Sequence, residues 1–172
     1  MESCIAYCDS PLGPLLLVAR RETLVGLYFA DQRHCPRPDP AWTEDPGRPP
    51  LRDALAQLAQ YFAGARTRFE LPLAPRGSPF QRSVWRAIAG VGYGQTISYG
   101  ELARRTGGGA SPRAVGAATG QNPIGIIVPC HRIVGADGSL TGYAGGLERK
   151  RALLALEAEH ARTDLLAAVA PT

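Results

Sequence analysis

A series of helix-start signals constrains how the second half of this chain can fold. Residues 78–81 (Ser-Pro-Phe-Gln) combine a capping serine, a proline suited to the first helical position and a glutamine that completes a capping box. This pattern predicts a helix to about Gly90. A second box at residues 98–101 (Ser-Tyr-Gly-Glu) predicts a short helix that ends at the glycines 107–109. The predicted core residues of the first helix are Val84, Trp85 and Ile88.

A third helix start follows at once, because Ser111 can cap and Pro112 can occupy the first helical position. With the preceding helix and the glycine turn, it predicts a helix-turn-helix. The new helix consists almost wholly of small residues, and Arg113 is the one large exception. Such a helix can approach a neighbour closely, either in the protein core or in a nucleic-acid groove. The small residues are Ala114, Gly116, Ala117 and Ala118.

The basic charge of the chain is concentrated in one block. Residues 76–151 carry ten Arg or Lys against three acidic residues, whereas residues 1–75 carry eight against nine. This distribution suggests a polyanionic partner for the basic block. A solvated basic face would give the same count, so the charge alone leaves both interpretations open.

The first 75 residues predict a small β-sheet and one helix. Apolar extended segments separated by turn residues occupy positions 3–30, and six prolines make residues 31–50 a loop that either packs irregularly or is mobile. Residues 51–62 have apolar side chains at helical spacing. Nothing in residues 1–75 looks catalytic. We therefore predict an α+β protein with an N-terminal α/β domain at 1–75 and a helical C-terminal domain at 76–172.

The segment around Cys130 has a different character. The apolar residues 126–128 predict a buried strand that leads into Cys130, and residues 147–159 predict a last helix with Leu147, Leu153, Leu154 and Leu156 available for burial. An isolated cysteine in an apolar stretch is more often an inert core thiol than a nucleophile. Here His131 could accept the thiol proton, and Arg132 could place a positive charge nearby. Both effects favour a reactive thiolate.

The remaining patterns exclude several classes of protein. The chain has no apolar stretch of about 20 residues and no secretory leader pattern, so we expect a cytoplasmic protein with four free cysteines and no membrane association. The spacing of Cys4, Cys8, His34 and Cys35 matches structural zinc sites poorly, and no phosphate-binding loop is present. We therefore predict neither a metal nor another cofactor.

Several motifs in register resemble the O6-alkylguanine-DNA alkyltransferase family. They are residues 97–103 (Ile-Ser-Tyr-Gly-Glu-Leu-Ala), 113–116 (Arg-Ala-Val-Gly), 121–124 (Gln-Asn-Pro-Ile), 129–133 (Pro-Cys-His-Arg-Ile) and 143–147 (Tyr-Ala-Gly-Gly-Leu). The resemblance covers about residues 78–157, and residues 1–75 are similar only in pattern. It implies a ribonuclease H-like N-terminal domain and a C-terminal domain with a winged helix-turn-helix.

The resemblance implies direct-reversal DNA repair. Cys130 would take an alkyl group, in particular methyl, from the O6 atom of guanine in duplex DNA, irreversibly and once per molecule. O4-alkylthymine would be a second substrate to test. His131 and Glu157 would activate the thiol through a bridging water, and Asn122 would hold the turn before it.

The resemblance also implies how the base reaches Cys130. The guanine would be flipped into a pocket, Arg113 would fill the space that it leaves, and Tyr99 would stabilise the departing guanine. The recognition helix would lie in the minor groove, whose nearly degenerate edges suit weak sequence dependence. The substrate-binding residues would be Tyr99, Ile133, Tyr143 and Ala144, and the DNA-binding residues Ser111, Pro112, Arg113, Ala114, Gly116 and Ala117.

Some features stay open at this point. Gly125 and Ala144 stand where some family members have Pro and Ser, so the preferred alkyl size is undecided. We expect a monomer that is associated with the nucleoid if the source is bacterial. Cooperative binding to DNA is left open. The competing hypotheses are a DNA-binding protein without transfer, a helix-turn-helix regulator and a cysteine hydrolase. The presence of Cys130 disfavours the first, and the second does not explain the motif after Asn122. The third would need an oxyanion hole and turnover, and the sequence indicates neither.

Overall fold

The N-terminal strands form in the apolar segments between turn residues, as predicted. In the computed structural model, which describes residues 2–169, β1 (Ser3–Cys8), β2 (Leu15–Arg20) and β3 (Thr23–Phe29) form an antiparallel meander. β4 (Thr43–Glu44) adds in parallel to the free edge of β1, so the strand order is β3-β2-β1-β4. The sequence did not predict β4, because it is only two residues long and lies in the proline-rich segment.

Both faces of this sheet are covered. The proline-rich loop packs on one face, where Cys35 and Trp42 contact a small cluster of buried strand residues. Of the two alternatives for this loop, the structure therefore shows irregular packing. Helix α1 (Pro49–Phe62) covers the other face through residues that include Leu51 and Leu58. The helix begins earlier than predicted, because prolines are well suited to the first positions of a helix.

The predicted helix-turn-helix is confirmed. Helix α2 (Pro79–Ala89) begins with the reciprocal capping box of Ser78 and Gln81, and α4 (Pro112–Gly120) begins with Ser111 accepting from the amide of Ala114. Helix α3 (Tyr99–Thr106) is capped by Ser98, but its expected box is only half formed. The Glu101 carboxylate pairs with two arginines of α3 instead of reaching back to the cap.

The predicted strand at residues 126–128 is wrong. These residues are buried, but they form consecutive turns in which Ile126 has φ 66° and the amide of Ile127 donates to Gly125 O at 2.7 Å. An apolar run indicates burial, and its length alone does not distinguish a strand from an irregular buried segment. The pairing that follows is limited to β5 (Ile97–Ser98) and β6 (Ile133–Val134), which run in parallel.

Helix α5 (Leu147–Val169) is longer than predicted and closes the fold. Leu153 is buried as expected, Leu154 and Leu156 are partly buried, and Leu147 is 42% exposed, so its predicted burial is wrong. One hydrophobic core extends from the N-terminal sheet to α5. The α+β organisation is thus confirmed. No helix within residues 2–169 combines the length and the hydrophobicity needed to cross a membrane.

Candidate active site

Cys130 begins a short 3-10 turn (Cys130–Arg132) that we call the catalytic turn. Its side chain is 7% exposed and lines a cavity of about 650 Å³, here named the Cys130 cavity. The backbone turns of residues 123–129 bring the cysteine to this wall, in place of the strand that the sequence predicted. Of the predicted site residues, the same cavity is lined by Tyr99, Gly116, Ala117, Tyr143 and Ala144.

Asn122 connects helix α4 to the catalytic turn. Its amide nitrogen donates to Val128 O at 2.8 Å and to Cys130 Sγ at 3.2 Å, while its oxygen accepts from the amide of Ile124 at 3.0 Å. All of these groups are buried, so the side chain has no solvent alternative for its hydrogen bonds. Asn122 therefore holds both the turn and the sulfur atom in place.

Behind the catalytic turn, a buried carboxylate is surrounded by donors. Glu157 Oε1 lies 2.7 Å from His131 Nε2 and 2.8 Å from Arg132 Nη2, and Arg132 Nε donates to Oε2 at 2.9 Å. The hydroxyl of Tyr61, on α1, also donates to Oε1 at 2.7 Å. We call Tyr61, His131, Arg132 and Glu157 the buried polar cluster. No side chain in it is more than 8% exposed.

The ionisation states follow from this environment. Burial by itself raises the pKa of Glu157, but hydrogen bonds from His131 and Arg132 outweigh it and lower the pKa to about 2. Burial lowers the pKa of His131, although Glu157 opposes that shift. At neutral pH a carboxylate therefore faces a neutral imidazole. Since the carboxylate can only accept, His131 Nε2 carries the proton, and Nδ1 carries a lone pair.

His131 Nδ1 is buried and makes no hydrogen bond within residues 2–169. Burial raises the pKa of the Cys130 thiol, opposed by the Asn122 hydrogen bond and by the charge of Lys150. In the resting site, the Cys130 thiol is thus followed in the chain by a neutral imidazole whose Nδ1 lone pair is available. An imidazole in this state can accept a thiol proton during a reaction, directly or through a water.

The positive charge near Cys130 does not come from the predicted residue. Arg132 points away, toward Glu157 and Val91 O, because the carboxylate and that carbonyl bind its guanidinium. The cation that acts on the sulfur is Lys150, which is fully buried on α5. Its Nζ donates to Ile133 O at 2.5 Å and to Thr141 O at 3.2 Å. No sequence pattern indicated this role for Lys150, because lysine is rarely buried and is expected at the surface.

In two predicted substrate-binding residues, the polar group that would bind the substrate already has a hydrogen-bond partner within the protein. Ile133 is fully buried and does not line the Cys130 cavity, and its carbonyl is already bound by Lys150. Tyr99 lines the cavity, but its hydroxyl donates to Thr141 O at 3.1 Å. This bond would have to open before Tyr99 could donate to a bound base.

The surface of α4 beside the cavity carries the predicted DNA-binding residues. Ser111, Pro112, Arg113 and Ala117 are exposed, whereas Ala114 and Gly116 are half-buried. A Cβ at Gly116 would lie 3.7 Å from the Tyr99 ring, an ordinary van der Waals distance, so this position of α4 faces Tyr99. The helix thus presents one arginine on an otherwise smooth surface.

The proline-rich loop also contributes to the site, although no catalytic residue was predicted in this part of the chain. Arg33 and His34 line the Cys130 cavity, and His34 adopts φ 66°. No local pattern predicted this, because the loop reaches the cavity only through tertiary folding. The four cysteines are free, as predicted. Within residues 2–169, no cluster of three or more His, Cys, Asp or Glu side chains could hold a metal ion.

Family models match most of the chain. The ribonuclease-like domain of 6-O-methylguanine DNA methyltransferase matches residues 4–75, and the DNA binding domain of the same family matches residues 79–159. A methylated-DNA–protein-cysteine methyltransferase of Mycolicibacterium paratuberculosis is 50% identical over 157 residues, which are 91% of this chain and 93% of the relative. One from Methanosarcina acetivorans is 45% identical and covers 88% of this chain and 96% of the relative.

Solved structures agree with these matches. The O6-methylguanine methyltransferase of Mycobacterium tuberculosis superposes with a TM-score of 0.83 at 47% identity, covering 95% of this chain and 97% of that one. The OGT of M. tuberculosis in complex with DNA also gives a TM-score of 0.83 at 47% identity, with coverage of 91% and 94%.

Proposed function

This chain belongs to the 6-O-methylguanine DNA methyltransferase family, which repairs DNA by moving a methyl group directly to a protein cysteine, and we propose that Cys130 is the accepting residue. One observation carries the proposal. Of the four cysteines, only Cys130 lines the Cys130 cavity, and the next residue in the chain is hydrogen-bonded to a buried carboxylate. DNA is the partner, and O6-alkylguanine in duplex DNA is the proposed substrate.

The first step is removal of the thiol proton. His131 Nδ1 accepts this proton through a bridging water, while Nε2 donates to Glu157 and the carboxylate stabilises the imidazolium that forms. The Asn122 amide, 3.2 Å from Sγ, stabilises the developing thiolate. The sulfur then needs no permanent negative charge before the substrate arrives.

The second step is a direct displacement. Cys130 Sγ forms a bond to the alkyl carbon, the bond between that carbon and guanine O6 breaks, and its electron pair moves onto the guanine. Tyr99 donates a hydrogen bond to the guanine as this charge develops. The proton that His131 took from the thiol then returns through water to the guanine, which restores the neutral base and the neutral imidazole. Because the thioether formed on Cys130 is stable, each molecule reacts once.

Delivery of the base requires α4 and its surroundings. The reacting atom lies inside the duplex stack, so the nucleotide must be flipped into the Cys130 cavity, whose size of about 650 Å³ is within the usual range for ligand sites. Helix α4 enters the minor groove with its smooth surface, and Arg113 fills the gap in the stack. Tyr143 and Ala144 form the opposite wall.

Further parts of the proposal come from the family resemblance. We place the domain boundary between residues 75 and 76, with a ribonuclease H-like first domain, and expect a monomer that acts on DNA in the cytoplasm or nucleoid. The shared hydrophobic core makes each domain depend on the other for its stability. O4-alkylthymine would react by the same displacement if it fits the cavity.

The decisive experiment uses a short duplex with radiolabelled O6-methylguanine. We expect no more than one equivalent of label on the protein, located on Cys130 by peptide mass spectrometry. Cys130→Ala should abolish transfer and leave DNA binding largely intact, and Cys35→Ala is the matched control that should transfer normally. Label on another residue, or more than one product per protein, would contradict the mechanism.

The same assay tests base delivery. Arg113→Ala should slow transfer from the duplex about tenfold, which is the loss of one good contact, while reaction with free O6-benzylguanine is unchanged. Equal losses on both substrates would show that Arg113 does not fill the stack. Replacing the labelled base by O4-methylthymine tests the second substrate.

A further inference from the structure

One side chain of the buried polar cluster comes from the N-terminal domain. Tyr61 lies on α1, is fully buried, and donates its hydroxyl proton to Glu157 Oε1 at 2.7 Å. Its ring is held by three aromatic neighbours at centroid distances of 5.3 to 6.2 Å, namely Phe62, Phe69 and Tyr93. A side chain fixed in this way places its hydroxyl in one position.

We propose that Tyr61 is a positioning residue for alkyl transfer: it fixes the Glu157 carboxylate in the orientation that holds His131 ready to accept the Cys130 proton. This inference rests on the proposed function, because it assigns Tyr61 a part in activating that same cysteine. It also assigns a chemical role to α1, a helix that otherwise only covers the sheet.

The geometry of the carboxylate supports this role. Oε1 accepts from three donors, which come from α1 and from two positions of the catalytic turn, and Oε2 accepts from Arg132 Nε at 2.9 Å. The His131 bond shares its acceptor atom with Tyr61. Removal of the hydroxyl would leave Oε1 with two of its three donors, so the carboxylate would still be held by Arg132 but would accept the imidazole proton more strongly.

The charges around the pair predict a change in pH dependence. Without the Tyr61 donor, the negative charge on Oε1 is less compensated, so it binds the proton on His131 more firmly and raises the pKa of His131. The neutral imidazole is then present only at higher pH. The titratable groups that face the pair are Tyr61 from α1, Tyr93 from the segment before β5, Cys130 and Arg132 from the catalytic turn, Tyr143 from the segment before α5, and Lys150 from α5.

The test is Tyr61→Phe, which removes the hydroxyl and keeps the ring. Transfer from the methylated duplex is measured in single turnovers between about pH 5 and about pH 9. We expect a maximum rate about tenfold lower, the size of one lost hydrogen bond to a charged group, and an acidic limb moved to higher pH. A purely structural role would lower the rate without moving the limb.

Tyr93→Phe is the matched control. Tyr93 packs against the Tyr61 ring, and its buried hydroxyl has no hydrogen-bond partner within residues 2–169. Its loss should leave both the rate and the acidic limb unchanged. If Tyr61→Phe behaves like Tyr93→Phe, the proposal is overturned.

A double-mutant cycle tests whether Tyr61 acts through Glu157. In a Glu157→Gln background, Tyr61→Phe should change the rate by less than about twofold, whereas an undiminished tenfold effect would contradict the proposal. If Tyr61→Phe does not fold, the ring ¹⁵N shifts of His131 in the unmodified chain decide the question. The proposal requires a proton on Nε2 and none on Nδ1 at neutral pH, and the opposite tautomer would overturn it.

A DNA-free readout separates this inference from the proposed function. The rate of Cys130 alkylation by iodoacetamide, followed at that peptide by mass spectrometry, should show the same shift of its acidic limb in Tyr61→Phe. Absence of transfer from DNA by the unmodified chain would refute the proposed function, while the iodoacetamide profile would still report on Tyr61.

Discussion

The two sides of the catalytic turn are built in opposite ways. On one side, Cys130 faces a cavity of about 650 Å³ whose walls include glycines and alanines, the rings of Tyr99 and Tyr143, and two exposed loop residues. On the other side, Glu157 and its partners are buried and joined by hydrogen bonds of 2.7 to 2.9 Å. Cys130 belongs to the open side, and the next residue in the chain, His131, belongs to the closed one.

This difference separates two tasks. The buried side has no space in which to adapt, so it can fix the protonation of His131 and with it the reactivity of the sulfur. The cavity side makes few internal bonds and is free to bind a ligand. We therefore expect changes on the buried side to affect every substrate and the stability of the fold. The effect of changes on the cavity side should depend on which DNA substrate is used.

The largest effect is expected for Glu157→Ala. This change leaves Arg132 buried without its anion, and breaking a buried ion pair in this way costs about 3–5 kcal/mol of unfolding free energy. Loss of the carboxylate that orients His131 should also lower methyl transfer at least about 100-fold. Urea unfolding and the labelled-duplex assay measure the two losses.

Glu159→Ala is the control for this change, because Glu159 lies on the same helix and is exposed. Its unfolding free energy should stay within about 0.5 kcal/mol of that of the unmodified chain. Comparable losses in the two variants would remove the contrast between the two sides of the turn.

A second effect on the buried side is its response to acid. The pKa of Glu157 is lowered from 4.5 to about 2, because hydrogen bonds from His131 and Arg132 outweigh burial. A depressed pKa contributes stability that is complete above pH 4.5 and is lost as the pH falls toward 2. The shift corresponds to about 3 kcal/mol.

This response can be isolated by comparing the unmodified chain with Glu157→Gln. The difference between their unfolding free energies, measured in urea, should shrink as the pH falls through the window between 4.5 and about 2. A difference that stays constant across this window would mean that Glu157 is not ionised in the folded protein.

Local features of the fold could be predicted from the sequence. The helix starts at Ser78 and Ser111 were predicted correctly, because a cap depends on side chains within one helical turn. The segment at residues 126–128 was not, because its turns are set by backbone pairing with β3, where the amide of Gly125 donates to Leu27 O. That partner lies almost a hundred residues earlier in the chain.

The residues of the candidate site also divide into those that a local motif indicates and those that only tertiary folding brings to the site. Cys130, His131 and Asn122 could be named from contiguous motifs, and the structure brings them together. Tyr61 could not be named, since it is 96 residues from Glu157 and belongs to an ordinary amphipathic helix. Lys150 was missed for another reason: one buried charge in a helix rich in charged residues has no distinguishing spacing.

The smallest expected effect is that of replacing Arg33, which lies on the cavity side of the catalytic turn. This residue is exposed at the wall of the Cys130 cavity, and within the described residues its guanidinium makes no ion pair or hydrogen bond. It is thus free to contact a phosphate beside the flipped nucleotide. Arg33→Ala should weaken binding to the duplex about threefold and reduce the salt dependence of binding by about one counterion.

Titrations of labelled duplex at several salt concentrations measure this loss, with Arg162→Ala, an exposed arginine of α5, as the control. Reaction with the free base analogue should be unchanged in Arg33→Ala, because that substrate has no phosphate. If the free base also reacts more slowly, Arg33 acts on the chemistry of Cys130 itself. The cavity side would then share the task that we assign to the buried side alone.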